Sequence, residues 1–190
     1  TGSNNVAIGK EALSTEDAHG NNVAVGYRAL KTQNAGADAF NVAVGKDAGL
    51  SVTTGTQNTI VGGLAGDAIT TGVHNTALGY KALTTEDTGN YSVAIGSGAL
   101  EVQNYNGSAF NVAIGYESGN NITTGIKNTL VGGTAGDALT TGSNNIIIGN
   151  DSAASAVDVS NEITLGDANI SAFRCADQSI AALSDGRDKS

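Results

Sequence analysis

Short apolar runs alternate with polar turns on a fixed beat along this chain. NNVAVG, Asn21 to Gly26, has relatives NNVAIG, FNVAVG, QNTIVG, HNTALG, YSVAIG, FNVAIG, KNTLVG, NNIIIG and NEITLG. The ten closing glycines are Gly9, Gly26, Gly45, Gly62, Gly79, Gly96, Gly115, Gly132, Gly149 and Gly166, stepped by 17 or 19 residues. A short fixed period is the signature of a repeat architecture. Each run is a three-residue β-branched-rich segment bounded by Asn and Gly, which predicts a strand closed by a turn. A 17-residue repeat also has room for a return strand, enough to close a flattened coil within one chain. The pattern therefore predicts an all-β, parallel β-solenoid with one coil per repeat.

Side chains alternate across a strand, so each run has two faces. Val6, Val23, Val42, Thr59, Thr76, Val93, Val112, Thr129, Ile146 and Ile163 share a face with the residue before each glycine, Ile8 to Leu165. The middle position is small but mostly apolar: Ala7, Ala24, Ala43, Ile60, Ala77, Ala94, Ala113, Leu130, Ile147 and Thr164. A strand apolar on both sides is covered on both sides. We expect one face to line the coil and the alanine face, Ala7 to Ala113, to be buried between copies around a threefold axis. Ile60 and Leu130 stand where Thr replaces Val, an exchange that conserves bulk in a packed layer. The residue before the strand is Asn in eight coils, from Asn5 to Asn145. It is either a turn residue tolerant of the left-handed conformation or a rung of a stacked amide ladder.

A second period of 70 residues overlies the first. GTQNTIVGGLAGDAITTG at Gly55 returns as GIKNTLVGGTAGDALTTG at Gly125. Each block holds four coils, one of them two residues longer. The stretch Lys31 to Asp38 reads as the outer side and return of its coil. The repeat ends after Gly166, and the tail carries Ile170, Phe173, Ile180 and Leu183 at irregular spacing. We divide the chain into a shaft of ten coils over 1–170, a neck over 171–184, and the start of a further segment over 185–190. The opening TGSNN repeats Thr141 to Asn145, and the chain has no Met, so we expect a piece of a longer protein.

Composition narrows the functions. With 27 Gly, three Phe and no Trp, the core must be stacked columns of small residues. The net charge of -9 lacks the basic stripe that nucleic acid requires. No apolar run reaches the ~20 residues of a membrane span, so no membrane insertion is expected. Cys175 stands alone and excludes an internal disulfide framework.

Candidate chemistry is sparse, and no cofactor or metal is expected. His19 and His74 fall at different places in their coils, whereas paired ligands on a solenoid should stack. Glu16–Asp17 and Glu86–Asp87 are equivalent but four coils apart, too far for an acid–base pair, and each reads as a polar corner. GGLAGDAIT and GGTAGDALT place Asp67 and Asp137 as in calcium-binding nonapeptides, but Gly66 and Gly136 come one position late. The TTG triplets could form an ice-binding threonine ladder, but only four coils carry them.

Two stretches resemble known families. LSDGRDKS, Leu183 to Ser190, resembles the L-S-D-x-R-x-K junction of phage tail spikes and fibres that carry a C-terminal intramolecular chaperone, as in endosialidases. The resemblance implies a homotrimer that cleaves itself between Ser184 and Asp185 when the chaperone is present. Ser184 would be the nucleophile and Lys189 its activating base, with Asp185 and Arg187 as motif partners. NNVAIG is similar to the NSVAIG repeat in heads of YadA-type trimeric autotransporter adhesins, and ALGYKAL, Ala77 to Leu83, resembles repeats of phage fibres. These likenesses imply a left-handed β-roll with three chains side by side. The expectation is a rigid shaft or receptor-facing segment of a phage tail fibre in the extracellular virion. Its partners would be a host surface receptor and other tail proteins. The alternative is an adhesin head on a bacterial surface. An enzyme acting on external substrates would need a carboxylate cleft that no coil supplies.

Overall fold

The computed structural model describes residues 2–17 and 19–172. Among the described residues, ten strands of three residues follow one another: β1 (Val6–Ile8), β2 (Val23–Val25), β3 (Val42–Val44), β4 (Thr59–Val61), β5 (Thr76–Leu78), β6 (Val93–Ile95), β7 (Val112–Ile114), β8 (Thr129–Val131), β9 (Ile146–Ile148) and β10 (Ile163–Leu165). They form one parallel sheet in sequence order. Val25 pairs with Ile8 on one side and Val44 on the other. Each repeat therefore climbs one rung of about 4.8 Å, and the chain is a β-solenoid of single-chain coils. An interwound fibre would have put three rungs between the same residues.

The chain leaves each strand at a glycine for a steric reason. Gly45 has φ +141, and a Cβ there would lie 2.4 Å from the Gly62 carbonyl oxygen of the next coil. Only glycine combines that dihedral with so close an approach. The wall beyond it is not the expected return strand. Arg28 and Leu30 take φ 57 and 47, which breaks the pleat. The wall is instead a column of turns bonded from rung to rung. Arg28 N donates to Lys10 O at 3.0 Å, Leu30 N to Ala48 O at 3.0 Å, and Thr53 N to Thr70 O at 2.9 Å.

The two strand faces are the reverse of the expected assignment. From β2 to β9 the middle residues, Ala24 to Ile147, are fully buried inside their own chain. The alanine face therefore cannot lie between copies. Across the interior it meets the second alanine column, Ala29, Ala48, Ala65, Ala82 and Ala99. A coil of 17 residues is too thin to hold two facing columns of large side chains. Bulk enters the core from the far turn instead. Leu13, Leu30, Leu83 and Leu100 fill it four places after the glycine, where other coils carry Gly49, Gly66, Gly119 and Gly136. Those four coils supply Val52, Ile69, Ile122 and Leu139 three residues later. A Cβ on Gly49 would sit 3.0 Å from Ile60 Cδ1, and one on Gly119 would sit 2.5 Å from Leu130 Cδ1. Ile60 and Leu130 are thus large because these glycines make room, not because Thr replaces Val on the other face.

The interior also holds a polar layer. The Asn column is a ladder, with side chains bonded to backbone above and across, except that Asn22 makes only the first bond and leaves its Nδ2 without a partner. Asn58 Oδ1 accepts from Asn75 N at 2.9 Å, and Asn58 Nδ2 donates to Gly72 O at 2.9 Å. The same pair of bonds forms at Asn41 and Asn128. The left-handed residue is not this Asn but the one before it, with φ 62 at Asn21 and 54 at Phe40. Two stretches expected outside lie inside. Gln33 and Gln103 are buried, as is Glu86, which the sequence placed at a polar corner. Gln103 Nε2 donates to Glu86 Oε2 and to Ser92 Oγ, both at 2.8 Å. Burial pushes the Glu86 carboxyl above its ordinary value, against N–H donors from Gln103, Gly89 and Tyr105 that favour its charge.

Candidate assembly face

Each coil presents the same outward sequence of positions. The left-handed residue before the ladder Asn points out, the Asn points in, and the strand then runs out, in, out to the glycine. The residue after the glycine is again outward. Four columns thus share one side of the solenoid. The inner two are β-branched or aliphatic over almost their whole length. Their exposure reaches 61% at Ile8 and 67% at Ile163, and Leu78, Ile114, Ile146 and Ile148 are also exposed. Val23, Val25, Val42, Val44, Val93 and Ile95 are half-buried.

Aromatic residues flank this strip on both sides. On one edge Phe40, Tyr91 and Phe110 are exposed. His74, Tyr91 and Phe110 form a stack with centroid separations of 5.0 and 5.1 Å and planes 8° apart. Ring spacing near the rung spacing follows from identical left-handed backbones in successive coils. On the other edge Tyr27, Tyr80 and Tyr116 are exposed. The Arg28 guanidinium lies 4.9 Å from the Tyr27 ring centroid.

Charge enters in the tyrosine column itself, at Lys10 and Lys46, and continues beyond it. Arg28 Nε is 2.7 Å from Asp47 Oδ1, and Lys46 also contacts Asp47. Lys31 Nζ is 2.7 Å from Glu11 Oε2, and Lys81 Nζ is 3.1 Å from Glu101 Oε1. The Arg28 bond holds the Asp47 carboxyl below its ordinary value, and the Lys31 bond does the same for Glu11. The face is therefore an apolar strip with an aromatic edge and a charged corner, the usual order from core to rim of a protein interface.

The aliphatic strip, two columns about 7 Å apart over nine steps of about 4.8 Å, covers about 300 Å². With both edge columns, six steps of about 3.3 Å across, the whole face measures about 20 by 43 Å, or about 900 Å². A standard interface takes about 800 Å² from each partner, with an apolar centre and a more polar rim.

The other candidate positions carry less. Ser184, Asp185, Arg187 and Lys189 lie outside the described residues, as does Cys175. Carboxylate and ring atoms of Glu16, Asp17 and His19 lie within 4.8 Å of one another. Glu16 Oε1 accepts from His19 N at 3.0 Å, as Glu86 Oε1 accepts from Gly89 N at 2.8 Å. The turn is thus shared with a coil that has glycine in place of the histidine. An open hollow of about 370 Å³ beside the last strand is lined by Asp151, Ala153, Thr164 and Gly166 to Asn169, without an imidazole, thiol or amine. Asp67 is half-buried, and its carboxyl is pushed up by that burial.

The outward direction of the Val and Ile columns had a signal in the sequence. Lys10, Lys46 and Lys127 fall in the outermost columns of the same parity. A face that carries lysine at its edges cannot line a closed coil. Comparison with protein-family models, with curated proteins and with solved structures finds no match to this chain.

Proposed function

We infer that the protein is a stiff structural shaft that assembles with two further copies through its apolar strand face, and that it serves as a shaft or receptor-facing segment of a phage tail fibre. The observation that carries this reading is the outward strip of Val, Ile and Leu from Val6 to Leu165, broken only by Thr59, Thr76 and Thr129. A solenoid gains stiffness because every coil bonds to its two neighbours through backbone ladders. Burying the strip would remove its aliphatic columns from water at about 25 cal/mol per Å², and the paired acids and bases of the corner would stay at the rim. Three flat faces turned toward one axis satisfy cyclic symmetry, in which one edge of each face meets the other edge of the next. Phe110 and Tyr116 would then belong to opposite edges of neighbouring contacts.

The tail motif Leu183 to Ser190 favours a phage fibre with self-cleavage at Ser184–Asp185, aided by Lys189. The NNVAIG-type repeats support the second reading, an adhesin head on a bacterial surface. Both readings share the trimer and the mechanical role. Electron microscopy of the purified protein tests them: class averages should show a rod about 45 Å long over these coils with a three-lobed cross-section. Single-lobed particles would overturn the assembly.

A further inference from the structure

The 19-residue coil of the second block carries a feature absent from the first. Asn106 and Gly107 form the one Asn-Gly pair in the chain, and Gly36 and Ala37 hold the equivalent places 70 residues earlier. Asn106 is exposed at the tip of the loop between Gln103 and β7, and its side chain makes no hydrogen bond among the described residues. The Gly107 amide nitrogen likewise has no acceptor, although Gly107 O accepts from Asn90 N at 2.9 Å. Asn104, Asn121 and Asn144, also exposed, differ. Asn104 is followed by Tyr105, whose N donates to Glu86 Oε2 at 3.3 Å. Asn121 Nδ2 donates to Asp137 O at 2.8 Å, and Ile122 N donates to Gly119 O at 3.0 Å. Asn144 Nδ2 donates to Asn161 Oδ1 at 2.7 Å, and Asn145 N donates to Asn128 Oδ1 at 3.0 Å.

We propose that Asn106–Gly107 is a site of spontaneous covalent modification, at which the asparagine converts to aspartate and isoaspartate. The Gly107 nitrogen attacks Asn106 Cγ, the Cγ–Nδ2 bond breaks, and ammonia leaves with the proton from the attacking amide. The product is a five-membered imide. Water then opens it, at Cγ to give aspartate or at the main-chain carbonyl carbon to give a β-linked isoaspartyl residue. Glycine admits the attack because it has no Cβ to crowd the ring. The free nitrogen can lose its proton to base, which a hydrogen-bonded one resists. Either product adds a negative charge, taking the net charge from -9 to -10. The isoaspartyl product also lengthens the backbone by one methylene two residues before Ser108, which bridges to Asn90 of the neighbouring coil.

The test is peptide mapping by mass spectrometry after incubating the folded full chain in mildly alkaline H₂¹⁸O. The peptide spanning Asn106 should take up one ¹⁸O and split into two products. Its rate should exceed those at Asn104, Asn121 and Asn144 by an order of magnitude, and should rise with pH. Asn106→Gln should abolish the signal, and Gly107→Ala should slow it. Gly107 has φ +146, and a Cβ there would lie 3.2 Å from the Tyr105 ring. Far-ultraviolet circular dichroism therefore accompanies that variant, and Asn106→Gln carries the comparison if its fold changes. Conversion at Asn106 no faster than at the three reference asparagines would overturn the proposal.

Discussion

Asn58→Ala is the sharpest probe of the interior. Its side chain makes three bonds in a fully buried setting: Oδ1 accepts from Asn75 N at 2.9 Å, and Nδ2 donates to Gly72 O at 2.9 Å and to Asn41 Oδ1 at 3.2 Å. Alanine leaves the Asn75 amide and the Gly72 carbonyl buried without their partner. Each stranded group costs about 1–3 kcal/mol, so the loss should total about 2–6 kcal/mol, against about 1 for an average substitution. Asn58→Asp separates polarity from shape. It keeps the acceptor for Asn75 N but turns a carboxylate oxygen toward the Gly72 carbonyl, so it should be rescued only in acid, where the carboxyl can donate. Because solenoids can unfold in parts, denaturation should be paired with hydrogen exchange at the Asn75 amide. Asn144→Ala, on an exposed residue, is the control. A destabilisation by Asn58→Ala below about 0.5 kcal/mol, the range of a neutral surface change, with Asn75 exchange unaltered, would refute the ladder.

Other expectations follow from the same geometry. Gly45→Ala should abolish folding of the coils around it, since its Cβ would meet backbone 2.4 Å away at φ +141; limited proteolysis reads this directly. Leu100→Ala should cost about 2–5 kcal/mol, measured by urea denaturation, because the opposing Ala94 and Ala99 cannot grow into the gap. In pH titrations of melting temperature, Glu86 and Asp47 should act oppositely. The Glu86 carboxyl is raised by burial, so its contribution is present below the ordinary value of 4.5 and is lost as pH climbs through its folded value. Asp47 is held down by Arg28, so its contribution is present above its ordinary value of 3.8 and is lost as pH falls through its folded value. Glu86→Gln should flatten the first slope, and Asp47→Asn the second.

The rung-by-rung climb was readable because NNVAVG and its relatives carry their own register, with glycine, strand and Asn in fixed order. Gly26 and its counterparts were legible for the same reason, since their residue type names the conformation. The direction of the faces was not read correctly. Val23–Ala24–Val25 is apolar on both sides, and hydrophobicity alone prefers the larger residues inside. The thin interior decides otherwise, and thinness depends on how the far wall turns at Arg28 and Leu30. The buried Glu86 and Gln103 were also missed, because residue type argues for the surface. Their partners, Ser92, Gly89 and Tyr105, lie in the same and the following coil, and a pattern within one repeat does not show such pairs. The left-handed column was placed one residue late, since Phe40, His74 and Tyr91 give no sign of positive φ.

The central claim is that this solenoid meets other copies of itself through the Val and Ile columns. Sedimentation equilibrium on the wild-type chain, on Ile95→Glu and on Thr124→Glu tests it most directly. Ile95 lies in the middle of the outward strip, and Thr124 is exposed on the remote turn. A carboxylate buried without a partner in an apolar contact is costly enough to break it. The account predicts three-chain mass for the wild type and Thr124→Glu, and single-chain mass with unchanged circular dichroism for Ile95→Glu. A wild type that sediments as one chain, or an Ile95→Glu variant that still holds three, would contradict it.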